Sequence, residues 1–87
     1  MVIIQDDQFS ETSSITLCGL TTSVMEASFA RLLLEPSALN GLRSPSRLMV
    51  DKIATVPRSK LGYRIGHLDD YDVLRLNSHL KSFLGLV

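Results

Sequence analysis

Hydrophobic positions along the chain fall into four short runs followed by one stretch with a longer period. Val2 to Ile4 and Ile15 to Leu20 are strand-sized, and the QDDQFSETSS between them is rich in Asp and Ser, which favour turns by bonding nearby backbone. After TTSVMEAS, the ARLLLE segment makes a third strand-sized run, closed by PSALNGLRSPS with its two prolines and Asn-Gly pair. SRLMVDKIATV reads as a fourth strand, rich in Val, Ile and Thr. Its alternation slips around Asp51 and Lys52, which predicts a bulge or bend there. Pro57 has no N–H to give, so the ladder is expected to end at it.

The last stretch changes period. Val73, Leu76, Leu80, Phe83 and Leu84 recur at three- and four-residue spacing, with Asp72, Arg75, His79 and Ser82 on the other face. Asp69 suits the N-cap, Asp72 sits at N3, Leu68 and Val73 are placed for a hydrophobic staple, and Gly85 stands where a left-handed C-cap belongs. The pattern predicts a helix from about Asp69 to Leu84 with one side on a sheet. Strands followed by one terminal helix give an α+β, mostly β domain.

Composition narrows the class. A chain of 87 residues makes one small domain that buries roughly 60% of its unfolded surface, so its core is thin and a partner subunit would help. No apolar run approaches the roughly 20 residues of a membrane helix, and Met1 to Ile4 lacks the basic leader of a secretory signal; no membrane role is expected, and the cytoplasm is the expected location. Cys18 stands alone and the two histidines are far apart, so no metal or other cofactor is expected. Cys18 lies within an apolar strand and reads as a small buried residue. The net charge is zero but unevenly spread: residues 1 to 30 carry four acids and no base, whereas 31 to 64 carry seven bases against two acids. That basic middle is either a footprint for a polyanion or a solvated polar surface. There is no phosphate-cradling glycine loop, nucleophile elbow, paired-carboxylate pattern or aromatic-rich RNA-binding signature.

The C-terminal half, NGLRSPSRLMVDKIATVPRSKLGYRIGHLDDYDVLRLNSHLKSFLGL, resembles the MazF/PemK toxin family. There a Pro-Ser pair leads a strand ending in Asp-Gln/Lys-Ile; an Arg-Leu-Gly and Arg-Ile-Gly-Leu run follows, then a closing helix ending Leu-Gly-Leu. Upstream, LCGLTTS is similar to the family's strand ending in Pro-Leu-Thr-Ser/Thr, and VIIQDDQF to the strand and loop after its Arg-Pro dipeptide. The individual motifs are short; their joint order carries the resemblance over nearly the whole chain. It implies an SH3-like barrel, a CcdB/MazF-like antiparallel sheet with a C-terminal helix. Val2 to Ile4 matches the family's second strand, so residues 1–87 are expected to be one toxin domain shortened at its N-terminus. The family's first strand, with its Gly-Asp pair, and its loop with an arginine assigned to catalysis would lie upstream of Met1.

The function implied is that of a toxin of a type II toxin–antitoxin pair: a metal-independent endoribonuclease cutting single-stranded mRNA at short sequences, homodimeric and neutralised by a cognate antitoxin. Two other readings remain open: a shortened chain that only binds antitoxin or another toxin subunit, and a gyrase poison of the same fold. Thr21 matches the family's Ser/Thr after Pro-Leu, a hydroxyl able to donate to a phosphate oxygen, although Gly19 stands in for the usual proline. Asp51 matches the acid of the Asp-Gln-Ile motif, which contacts substrate or assists proton transfer; the alternative is a bulge residue salt-bridged to Lys52. Thr21 and Asp51 are therefore the candidate catalytic residues. Arg31, Arg43, Arg47 and Lys52 are the candidate RNA contacts, with a solvated cationic face as the alternative. His67 and His79 have no partner at a catalytic spacing and receive no role.

Overall fold

The computed structural model describes residues 1–23 and 30–86. The TTSVMEAS connection falls partly outside them. The four strands are β1 (Val2–Ile3), β2 (Ser14–Thr21), β3 (Arg31–Leu34) and β4 (Ser46–Pro57), and the helix α1 spans Asp70–Leu84. Single turns of 3-10 helix stand at Asp7–Phe9 and Arg58–Lys60. All pairings are antiparallel, in the order β1-β2-β4-β3.

The expected slip in β4 sets the shape of the sheet. Cys18 pairs with Ile53 and Leu20 with Leu48, so two steps along β2 oppose five along β4. Residues 49–52 are therefore the extra length that bends β4 at Asp51 and Lys52. Before the bend β4 lies between β2 and β3; beyond it, β4 pairs with β2 alone. The result is a curled half-barrel rather than a flat sheet. Pro57 is the last paired residue, opposite Ser14.

One face of the curl carries the core. Cys18, Leu32, Leu34, Leu48 and Val50 are fully buried with Leu76 of α1, and Val2, Ile4, Leu20, Leu42, Ile53, Leu68 and Leu80 pack around them. Each fully buried apolar side chain stabilises by about 1.5–3 kcal/mol. Ile15, Leu17 and Ala30 are buried outside that cluster.

The helix is capped as its sequence predicts. The Asp69 carboxylate accepts the Asp72 amide at 2.8 Å, and Gly85 is left-handed at φ 69°. The Leu86 amide returns to the Lys81 carbonyl at 2.9 Å, closing the C-terminus. The buried face is narrower than the apolar stripe. Leu76 is buried and Leu80 half-buried, but Val73, Phe83 and Leu84 are 39%, 44% and 51% exposed, whereas Asp72, Arg75 and His79, expected on the outer side, are half-buried. The reason lies at the free edge of β3. The Ala30 carbonyl accepts from Val50 of β4, so by strand alternation the Leu33 carbonyl faces away from β4 and needs another donor. Arg75 supplies it at 3.0 Å while paired with Asp72 at 2.8 Å, and this turns the polar flank of α1 toward the sheet.

Candidate functional site

Opposite residues in an antiparallel pair share a face, so the register places the candidate residues. Leu20, Leu48 and Leu32 form a row pointing into the core. One residue along, Thr21, Arg47 and Leu33 form the next row and point the other way, joined by Met49 and Arg31. The sheet face away from α1 thus collects residues from three strands.

Thr21 ends β2, where its Oγ1 accepts the Ser23 amide at 3.1 Å. That bond fixes the hydroxyl and leaves its own O–H to donate outward. Arg47 stands directly opposite on β4. Asp51, at the bend, lies within reach of Arg31 on β3: Nε and Nη2 of the guanidinium meet the two carboxylate oxygens at 3.2 and 3.3 Å. The partner of Asp51 is therefore Arg31 across the sheet. This changes the picture of Arg31, expected as a solvent-facing phosphate contact: its side chain is only 7% exposed and is engaged by Asp51, whose side chain is 31% exposed. Arg43 is exposed in the loop before β4, and Lys52 is exposed just past Asp51. Neither belongs to the Thr21–Arg47 row.

The Met49 terminal methyl lies over Gly19, 2.8 Å from where a Cβ would stand; being the end of a flexible side chain, it could shift to admit one. Beneath the face, Cys18 is fully buried; burial first, and the Asp51 charge second, push its thiol pKa up, so it stays protonated and is no nucleophile. His67 is exposed and donates its backbone N–H to the Leu39 carbonyl at 2.9 Å, and His79 Nδ1 lies 2.9 Å from the Arg75 carbonyl.

The loops that carry this face are held by residues sequence reading treated only as punctuation. Asn40 is buried; its Oδ1 accepts the Ser37 and Leu42 amides, and its Nδ2 donates to the Glu35 carbonyl. Gly41, at φ 69°, lies against the Ile65 carbonyl, and Gly66 lies against the Leu39 and Asn40 backbone, so neither position has room for a Cβ. The Asn-Gly pair and the Arg-Ile-Gly run are thus two halves of one backbone contact. At the other end of the sheet, Arg58 donates to the Thr12 carbonyl at 2.9 Å and to the Ser10 carbonyl, tying the loop after β1 to the end of β4.

The model of the PemK-like, MazF-like toxins of type II toxin–antitoxin systems matches residues 1–84. The chain belongs to that family. A probable endoribonuclease MazF from Mycolicibacterium smegmatis is 44% identical over 86 residues, covering 99% of this MazF-like chain and 79% of that relative. Among solved structures, the Mycobacterium tuberculosis toxin MazF-mt6 superposes with a TM-score of 0.84 at 22% identity, over 97% of this chain and 83% of that one. An endoribonuclease in complex with its cognate antitoxin, from a mycobacterial species, gives 0.81 at 22% identity, over 98% and 79%. At such identities the two structures speak for the fold, and they bear out the SH3-like, MazF-like sheet with a closing helix. The Pro-Ser, Asp-Lys-Ile and Arg-Ile-Gly motifs of this MazF-like chain accordingly sit at the start of β4, at its bend and in the loop before α1.

Proposed function

We propose that this chain is the toxin of a type II toxin–antitoxin pair and an endoribonuclease that cuts single-stranded mRNA at short sequences without a metal. Its family and its 44% identity to a probable endoribonuclease support the activity. The observation that carries the site is the pairing of Thr21 with Arg47 on the sheet face away from the helix, beside the Arg31–Asp51 pair.

The chemistry asks little of the protein. The ribose 2′-oxygen bonds to the neighbouring phosphorus as its proton passes to a base, and the 5′-oxygen leaves and takes a proton, giving a 2′,3′-cyclic phosphate and a 5′-hydroxyl. Charge grows on the non-bridging oxygens. The Thr21 O–H, held by its bond from Ser23, donates there, and the Arg47 guanidinium opposite it neutralises the phosphate. Asp51 is oriented by its ion pair with Arg31, with one hydrogen bond from Nη2, and accepts the 2′-proton or contacts the substrate. Arg31 then acts through Asp51, while Arg43 and Lys52 meet the flanking phosphates.

The active form is a homodimer held in the cytoplasm with a cognate antitoxin, one neighbour of the same fold being an endoribonuclease in complex with its antitoxin. Tyr71, Leu74, Phe83, Leu84 and Leu86, all exposed at or beside α1, are the apolar surface on which a second copy or the antitoxin docks.

The deciding experiment incubates single-stranded RNA with the chain in EDTA. Cutting that leaves a 2′,3′-cyclic phosphate is expected. Cutting only after a divalent ion is added back would overturn the metal-free mechanism.

A further inference from the structure

Tyr63 is 89% exposed, the most exposed of the large hydrophobic residues described. Its ring does not serve the core, yet the backbone that carries it is firmly placed. Gly66 is pressed against Leu39 and Asn40, and Gly41 against Ile65. The His67 amide bonds the Leu39 carbonyl at 2.9 Å, and the Arg64 Nε bonds the Gly66 carbonyl at 3.1 Å. A turn of 3-10 helix at Arg58–Lys60 anchors the other end of the loop. An aromatic ring is thus held out in water on a loop tied down at both ends.

Along the chain, every charged side chain between Glu35 and Asp51 and between Asp51 and Asp69 is basic: Arg43, Arg47, Lys52, Arg58, Lys60 and Arg64. Arg58 is engaged through Nε and Nη2 by the Thr12 and Ser10 carbonyls, whereas Arg43 and Lys60 are exposed on the two interlocked loops, as is Arg64, which is bonded to the Gly66 carbonyl through Nε alone. Arg43 is four residues ahead of Arg47, so at most about 14 Å of chain separates it from the Thr21 row. A nucleic-acid strand lying on that row has a basic path onto the loops.

We infer that the interlocked loops 39–43 and 60–67 form a second contact for single-stranded RNA, in which Tyr63 stacks on a base and Arg43, Lys60 and Arg64 meet the flanking phosphates. The inference rests on the ribonuclease reading and extends the substrate path beyond the reacting phosphate. A stacking ring suits single strands because unpaired bases present their faces, and the contact tolerates any base.

Binding is measured apart from cutting with a mixed-sequence 2′-O-methyl RNA 12-mer, which lacks the attacking hydroxyl. Tyr63→Ala is expected to weaken its affinity about 5- to 100-fold, as loss of one stacked base does, and Tyr63→Phe to leave it unchanged. The chain has no Trp, and with Tyr71→Phe in place the Tyr63 emission is the only tyrosine signal and should be quenched on binding. Lys60→Ala with Arg64→Ala should lower the slope of log affinity against log salt by about 1.4, from 0.7 per phosphate contact on a single strand. Unchanged affinity in Tyr63→Ala, with RNA cutting intact, would remove the platform and leave the ribonuclease reading standing. A Tyr63→Ala protein that binds RNA normally but changes its sedimentation would assign the ring to a protein contact and overturn the inference. If this chain neither binds nor cuts RNA, both readings fall together.

Discussion

Thr21 and Asp51 are separated by what their loss should do. The Thr21 hydroxyl bonds only locally, to the Ser23 amide, so Thr21→Ala is expected to leave stability nearly unchanged and to slow RNA cutting about 10²-fold or more if it acts as an oxyanion-type donor. Asp51→Asn removes one ion partner of a guanidinium that is only 7% exposed, so it should also lower stability. That loss falls between the roughly 0–1 kcal/mol of a surface pair and the roughly 3–5 kcal/mol of a broken buried one. Thermal melts and initial rates on the two variants check both statements, and an Asp51→Asn protein as stable as the parent would show the pair to be incidental. Cys18 gives a third residue-scale expectation. Buried and with its pKa raised, it should resist iodoacetamide at pH 8 in the native protein and react once denatured. Thr21 and Asp51 were found through their family motifs, but the Arg31–Asp51 pair joins positions twenty residues apart, and no spacing announces it.

At the scale of elements, each end of α1 has a named device, and the middle is decided by the sheet. Asp69→Ala should cost about 1 kcal/mol by leaving the Asp72 amide without its carboxylate, and Gly85→Ala should also destabilise because the position is left-handed. For a chain of this size, 1 kcal/mol corresponds to a drop of about 4–8 °C in Tm, which calorimetry resolves. The interlocked loops should be more sensitive. Gly66→Ala forces a methyl into the Leu39 and Asn40 backbone and is expected to destabilise by about 1–3 kcal/mol. A melt unchanged by that substitution would mean the loops separate freely. The bend of β4 was legible in the chain because alternation breaks at Asp51; the partner of each half of the strand was not, because local sequence carries no information about which strand lies alongside.

For the whole molecule, the apolar side chains left outside are as informative as the core. Val73, Phe83 and Leu84 belong to the helix's apolar stripe, yet the sheet beneath reaches only Leu76 and part of Leu80. A thin core with such a surface should associate. Sedimentation at micromolar concentration is expected to show a dimer, and Leu84→Glu together with Phe83→Ser should shift it toward monomer. A parent chain that sediments as a monomer throughout this range would count against the dimer.

By itself the sequence determined what depends on near neighbours: four strands from apolar runs and turn residues, a helix from period and caps, a bend from broken alternation, and a family from the order of short motifs. Tertiary structure alone decided the rest. It chose the strand order, set Thr21 opposite Arg47, turned Arg31 from an outward cation into the partner of Asp51, and drew Arg75 under the helix to reach the Leu33 carbonyl. The last two share a physical reason. A backbone carbonyl at a free edge and a charge with little solvent must each find a partner wherever the fold brings one near. Local sequence specifies the groups that need partners, and only the closed sheet specifies which partners they meet.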